Sequence, residues 1–168
     1  MGATALLAHE GGGPGYRVTL VAAEPGPVRA DSGLQLVADA QLPESGAIDT
    51  LLVPGGTRMH GLAHDDPFIG WLRRAANRSA RVVSVCTGAF ALAAAGILDG
   101  CSATTHWRYA EALAREHPYL DVQADAIYLR QGRVWTAASR RSEPVRRPRM
   151  VAARSEAVHS GGPGPHPR

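Results

Sequence analysis

The sequence has no lysine, few aromatic residues and only two cysteines. All 18 basic residues are arginine, and phenylalanine, tryptophan and tyrosine make up 5% of the 168 residues. Two cysteines are too few for a disulfide framework, and no apolar run is long enough to span a bilayer. These absences argue against a disulfide-rich scaffold and an integral membrane protein, and we expect no membrane contact.

The N-terminus also lacks the marks of a secretory signal. Residues 1–10 have neither a basic n-region nor a long apolar h-region, so we expect no signal peptide and a cytoplasmic location. The chain is long enough for one domain with a buried core. Abundant alanine, glycine, valine and leucine suit tightly packed α/β layers.

Positive charge is concentrated near the C-terminus. The formal net charge is +3, yet seven arginines and only two acids fall in residues 139–168, which leaves residues 1–138 slightly acidic. The body of the chain therefore gives no electrostatic reason to expect nucleic-acid binding. The Arg/Pro/Gly-rich end has no apolar periodicity, so we predict one domain over residues 1–138 and a disordered tail over residues 139–168.

Strand and helix signals alternate along the body. Residues 1–10 resemble the end of a helix, and the main predicted elements are strands at 16–22, 49–53 and 82–85, a hairpin around Asp31-Ser32-Gly33, and helices at 67–77, 88–95 and 106–117. Such alternation predicts a parallel sheet covered on both faces. Ligands bind such sheets at the carboxyl ends of the strands, where Pro54-Gly55-Gly56 and Cys86-Thr87 both fall.

Cys86 stands where a strand turns sharply into a helix. The β-branched run before it ends there, and Thr87-Gly88 opens an Ala/Leu-rich segment. This pattern is typical of a nucleophile elbow, in which the helix N-terminus favours a thiolate over a thiol. The alternative is a small cysteine that only fills the core.

Glycines after the preceding strand suggest a second part of the same site. The backbone N–H groups of Gly55 and Gly56, with that of Thr87, can form an oxyanion hole beside the Cys86 sulfur. An ordinary strand-to-helix turn explains a Gly-Gly pair equally well.

A pair of histidines and the two cysteines are candidates for metal binding and for a disulfide. His60 and His64 have the spacing of two ligands on one helical face, but no third ligand lies nearby, so we expect no metal and no cofactor. Cys101 begins a strand whereas Cys86 ends one. Those positions lie at opposite edges of a parallel sheet, so we expect no disulfide between them.

Four motifs stand out along the chain: Leu52-Val53-Pro54-Gly55-Gly56, Ser84-Val85-Cys86-Thr87-Gly88-Ala89-Phe90, Ala95-Gly96-Ile97-Leu98-Asp99-Gly100 and Ala103-Thr104-Thr105-His106-Trp107. Together they resemble the ThiJ/PfpI superfamily of class I glutamine-amidotransferase-like domains. The resemblance covers residues 5–138 and is greatest to the N-terminal domains of AraC/GlxA-type transcription regulators, while isonitrile hydratases share most of it.

The resemblance implies an α/β, flavodoxin-like three-layer sandwich with a mostly parallel sheet. It also implies that Cys86 is the elbow nucleophile, that His106 lies near it, and that the amides of Gly55, Gly56 and Thr87 line the pocket. A helix N-cap or a buried, satisfied histidine is the alternative for His106. Related domains commonly dimerise, so we expect a homodimer that binds a small molecule of unknown identity.

The sequence departs from the family pattern at both ends. The family's first strand and helix are missing, and with them an acid that faces the cysteine and serves as the proton shuttle of a hydratase. After Ala138, an Arg/Pro-rich segment stands where the family has its last helix. This suggests a change of reading frame in the gene near Ala138. No DNA-binding module follows, so DNA contact would need a module absent from this chain.

Three functions remain open from the sequence. The first is the ligand-sensing domain of an AraC/GlxA-like regulator without its DNA-binding region, and we expect binding rather than catalysis. The second is a cysteine-dependent hydratase or amidohydrolase resembling isonitrile hydratase. The third is a non-functional truncated fragment, since a missing central strand would leave unpaired strand edges.

Overall fold

The computed structural model describes residues 4–9 and 15–139, with side chains from residue 15 onward. The predicted disordered tail lies, apart from Ser139, outside these described residues. The strands are β1 (Thr4–His9), β2 (Tyr16–Ala22), β3 (Gly26–Arg29), β4 (Gln35–Ala38), β5 (Ala40–Gln41), β6 (Ile48–Val53), β7 (Ser79–Val85), β8 (Ser102–Ala103), β9 (Asp121–Val122), β10 (Tyr128–Gln131) and β11 (Val134–Ala137). The helices are α1 (Pro67–Asn77), α2 (Gly88–Ala94) and α3 (Ala110–Glu116), with 3-10 helices at Thr57–Met59 and Trp107–Tyr109.

Seven strands form the main sheet, in the order β10-β11-β7-β6-β1-β2-β5. The centre is parallel, because β7 pairs in parallel with both β6 and β11. Antiparallel pairs flank it, since β1 pairs with β2 and β6, and β10 pairs with β11. The α/β, flavodoxin-like class is confirmed, with a mixed sheet rather than one dominated by parallel pairs.

The N-terminus differs from the sequence-based expectation. Residues 4–9 form strand β1 rather than the end of a helix, and β1 lies between β6 and β2. The apolar run Ala5-Leu6-Leu7-Ala8 is too short to be assigned to helix or strand by periodicity alone. Strand β1 therefore occupies a position inside the main sheet, and the truncated-fragment alternative stays a prediction.

Helix α1 forms as its sequence predicts. The side chain of Asp66 accepts a hydrogen bond from the Phe68 N–H at 2.8 Å and caps the helix, and Pro67 occupies the first turn. Its apolar face, with Trp71 and Leu72, is buried against the core. Together, α1 and α2 pack on one another and on strands β6 and β7.

The two faces of the sheet differ in burial. On β7, Val82 and Ser84 are fully buried on the face that joins the core cluster, whereas Val83 is half-buried and Val85 is 36% exposed. Trp135 continues this second face beside Val83 and is also half-buried. The described residues thus cover the second face only in part.

No helix among the described residues is both long and apolar enough to cross a bilayer.

Candidate functional site

Strand β7 and helix α2 meet in the predicted elbow. Cys86 has φ +58°, and among the described residues it is the only non-glycine with a positive φ. Thr87 then takes helical angles and α2 begins at Gly88. A left-handed residue other than glycine costs about 1–2 kcal/mol, and such strain persists only where the surroundings hold it. The strand-turn-helix reading of the sequence is confirmed.

Two glycines allow the chain to pack tightly around Cys86. A Cβ atom on Gly55 would lie 2.8 Å from the Cβ of Cys86 and 3.0 Å from its Sγ. A Cβ atom on Gly88 would lie 2.3 Å from the carbonyl oxygen of Val53. Neither position has room for a side chain, because distances below 3.0 Å are sterically forbidden. The Gly-Gly pair is therefore more than an ordinary turn, since the first glycine lets β6 approach the elbow.

The Thr87 side chain links the elbow to the Gly55-Gly56 loop that follows β6. Its hydroxyl donates to the carbonyl oxygen of Gly56 at 2.9 Å and accepts from the Gly56 N–H, also at 2.9 Å. The Gly56 N–H thus points at the Thr87 hydroxyl. The roles of the Gly55 and Thr87 amides as pocket donors stay predictions.

Hydrogen bonds hold Cys86 from three directions. Its N–H donates to the carbonyl oxygen of Ala137 at 2.8 Å, and its carbonyl oxygen accepts from the Thr105 hydroxyl at 2.8 Å. The Ser139 hydroxyl lies 3.7 Å from Sγ, within hydrogen-bond distance of sulfur. Cys86 is half-buried and free of any disulfide. Together these contacts fix both the backbone and the thiol of the candidate nucleophile.

His106 caps the 3-10 helix that follows it. Its Nδ1 accepts from the Arg108 N–H at 3.2 Å, so in the neutral ring the proton belongs on Nε2. The ring packs on Trp107 and Tyr109, with centroid distances of 5.6 Å and 5.7 Å. The preceding residue, Thr105, binds the Cys86 carbonyl. The contacts of His106 are thus those of a helix N-cap, which was the alternative to a site residue. A chemical role for its Nε2 atom stays a prediction.

A cluster of rings continues from His106 to His60. Tyr109 packs against His106, Phe90 and His60, and the His60 ring lies 5.0 Å from that of Phe90. The His60 Nε2 atom also lies 2.9 Å from a carboxylate oxygen of Glu116. Because Phe90 lies in the first turn of α2, this ring cluster packs directly behind the elbow.

His60 and His64 do not share a helical face. Residues 60–65 form turns and irregular chain, and His64 Nδ1 lies 2.6 Å from the carbonyl oxygen of Ala94. His117 packs edge-on against His64, at 6.4 Å between ring centroids. Burial, and to a lesser degree the charge of His64, lowers the pKa of His117 from its ordinary value.

Cys101 has a different environment from Cys86. It precedes β8 and packs against the core cluster, and it too is a free thiol. Burial, and secondly the nearby Asp99 carboxylate, raises the pKa of the Cys101 thiol. A raised pKa lowers the thiolate fraction at neutral pH and makes this cysteine a poor nucleophile.

Three contacts at the site were not foreseen from the sequence. The Asp31 carboxylate, at the tip of the β3–β4 hairpin, accepts from the Thr57 N–H at 2.6 Å. Thr105 and Ser139 bind Cys86, as described above. Ser139 lies beside Cys86 because β7 and β11 are parallel and the residues that follow them meet at one sheet edge, a pairing that the sequence alone does not give. For Asp31 the sequence predicted a hairpin turn but gave no indication of its contact with Thr57.

Comparisons with known proteins agree with this geometry. A relative from Streptomyces lividans, described as uncharacterized, is 42% identical over 106 residues, which are 63% of this chain and 75% of the relative. The isonitrile hydratase of Pseudomonas putida is 38% identical over 60% of this chain and 44% of its own length. The HTH-type transcriptional regulator CdhR of Pseudomonas aeruginosa is 31% identical over 73% of this chain and 36% of its own.

Solved structures and a family model complete the comparison. A ThiJ/PfpI family protein from Pseudomonas syringae superimposes with a TM-score of 0.62 at 30% identity, covering 72% of this chain and 50% of the other. The match thus spans half of that structure and less than half of the hydratase and of CdhR. The model of the DJ-1/PfpI family matches residues 3–145. The elbow, the glycine approach and these matches lead to one conclusion: the chain belongs to the DJ-1/PfpI family.

Proposed function

We propose that this domain senses a small molecule, as the N-terminal part of an AraC/GlxA-type transcription regulator, and that the ligand binds at Cys86. The support is the similarity to HTH-type regulators, including CdhR and the GlxA protein of Rhizobium meliloti, which is 33% identical over 66% of this chain. In this proposal, the domain acts as a homodimer, and DNA contact belongs to a separate module rather than to residues 15–139.

One observation carries the choice of binding over catalysis. Within residues 15–139, the hydrogen bonds of Cys86 and His106 go to backbone groups and to the hydroxyls of Thr105 and Ser139. Hydroxyls and amides orient a ligand and stabilise charge, whereas the hydratase of this family is expected to use a carboxylate as its proton shuttle. Within residues 15–139, no carboxylate forms a hydrogen bond with Cys86 or His106, and this favours binding over catalysis.

A ligand screen tests the proposal. We expect compounds from a library of small acids, amides and amines to raise the melting temperature of the full chain. Prior alkylation of Cys86 with iodoacetamide should remove that shift, because the adduct occupies the space beside the sulfur. A Cys101→Ser variant is the control: iodoacetamide then modifies Cys86 alone and should still remove the shift. Stabilising compounds that still bind after Cys86 is blocked would place the site elsewhere.

The alternative is a cysteine-dependent hydratase, favoured by the identity to isonitrile hydratase and by the elbow. In this reaction the Cys86 sulfur adds to the terminal carbon of the isonitrile, which takes up a proton. Water then displaces the sulfur, so that one isonitrile and one water give one N-substituted formamide. The wild-type protein is incubated with cyclohexyl isocyanide, and we expect it to form no formamide. Formamide production by the wild type that is lost in the Cys86→Ser variant would instead establish the enzyme.

A further inference from the structure

Ser139 is the only side chain in the described part of the chain that has a hydrogen bond to the Cys86 sulfur. Its Oγ lies 3.7 Å from Sγ, and both residues are half-buried. The sequence pattern had placed this serine in the tail. The structure instead places it at the elbow, and the family match extends beyond it, to residue 145.

Backbone pairing determines where Ser139 lies. Strand β11 runs parallel to β7 with Ala137 opposite Val85. The Cys86 N–H extends this ladder by donating to Ala137, and the Ala138 N–H donates to the carbonyl oxygen of Ile127 at 2.8 Å. The two residues before Ser139 are therefore held on both sides. The serine hydroxyl reaches the thiol from a fixed strand end.

The other hydroxyls around the elbow have different partners. Thr105 donates to the Cys86 carbonyl oxygen, and Thr87 donates to the carbonyl oxygen of Gly56. Each hydroxyl has one proton to donate, so these two threonines have used theirs on the backbone. Of these three hydroxyls, that of Ser139 is the one in contact with the sulfur.

We infer that Ser139 is a positioning residue that donates its proton to the Cys86 thiolate and stabilises the charged form. A hydrogen bond to the charged form of a group favours that form, and bonds to ions are stronger than bonds between neutral groups. The inference rests on the proposed function in one respect, since it assumes that the thiolate of Cys86 is the working form. Ser139 itself need not touch the ligand.

The test compares three variants of the full chain. The rate of Cys86 alkylation by iodoacetamide is followed against pH, with each cysteine quantified separately by peptide mass spectrometry. In Ser139→Ala we expect the midpoint of the rate profile to move upward by about half to one pH unit. Ser139→Thr keeps the hydroxyl and should retain the original midpoint. Ser45→Ala, at an exposed loop residue, is the matched control and should change nothing.

Two readouts separate this inference from the proposed function. The difference in midpoint between the wild type and Ser139→Ala decides the role of Ser139, and an unchanged midpoint would overturn it. The absolute midpoint of the wild type decides whether Cys86 is activated at all. A melting curve for each variant shows whether the fold is intact. If Ser139→Ala does not fold, Ser139→Gly also removes the hydroxyl, and an unchanged Cys86 midpoint in that variant would overturn the inference.

Discussion

The two cysteines of this chain lie fifteen residues apart, and both are half-buried free thiols, but their backbones and neighbours differ. Cys86 has a positive φ, two glycines packed against its turn and a hydroxyl at its sulfur. Cys101 precedes a two-residue strand, packs on the core and has a raised pKa. The difference indicates that the surrounding backbone is what sets Cys86 apart as the candidate nucleophile. Matched substitutions in the two segments can break or sharpen this contrast.

The largest contrast is expected between two glycines. Gly88→Ala should lower the free energy of unfolding by about 3 kcal/mol or more, because the new Cβ would meet the Val53 carbonyl at 2.3 Å. Gly100→Ala has open space around it, although its φ is +70°, so we expect a loss of about 1 kcal/mol. Urea unfolding of both variants measures the difference. Equal losses would mean that the elbow is not tightly packed.

Two hydroxyls provide the second contrast. Thr87→Val should cost about 1–3 kcal/mol, because Thr87 is buried and the change leaves both polar groups of Gly56 without their partner. Ser102→Ala removes an exposed bond to Asp121 and should change stability by less than about 0.5 kcal/mol. Urea unfolding measures the free energy of unfolding of both variants. A Thr87→Val protein as stable as the wild type would show that the loop is held by other contacts.

The cysteines themselves give a smaller contrast. Glycine relieves a positive φ, so Cys86→Gly should be at least as stable as Cys86→Ala. At Cys101, which has no positive φ, the glycine variant should be less stable than the alanine variant by about 0.5–1 kcal/mol. Thermal unfolding of the four proteins checks the sign at each position. The same order at both positions would argue against strain at the elbow.

The smallest effect concerns pH. His117 has a lowered pKa in the folded state, mainly through burial, and the neighbouring Glu116, His64 and Asp99 modify it. The unfolded chain therefore binds a proton more readily, and His117 lowers stability as the pH falls below its ordinary value of 6.5. Melting temperatures at pH 8.0 and pH 5.5 should differ less in His117→Gln than in the wild type. An identical pH dependence would show that His117 makes no contribution.

The elbow could be predicted from the sequence because its signals are local. A β-branched strand, a turn residue and an Ala/Leu-rich helix follow one another over about twelve residues, and the structure has the same elements in the same order. The Asp66 cap and the hairpin around Asp31-Ser32-Gly33 were likewise local and are confirmed.

What could not be predicted depends on contacts between distant segments. The strand at residues 4–9 is defined by pairing with β6 and β2, not by its own short apolar run. The donor at Ser139 depends on the register between β7 and β11, which the sequence does not encode locally. His60 meets Glu116 across the fold, although its spacing suggested a pairing with His64.

The most direct test of the account is the pH dependence of alkylation at both cysteines in one protein. Iodoacetamide labelling, quantified by peptide mass spectrometry, gives a rate profile for Cys86 and another for Cys101. We expect Cys86 to be labelled at lower pH than Cys101, because burial and the nearby Asp99 carboxylate raise the pKa of the Cys101 thiol. A Cys86 that is labelled no earlier than Cys101, or that resists labelling at every pH, would contradict an activated thiol at the elbow.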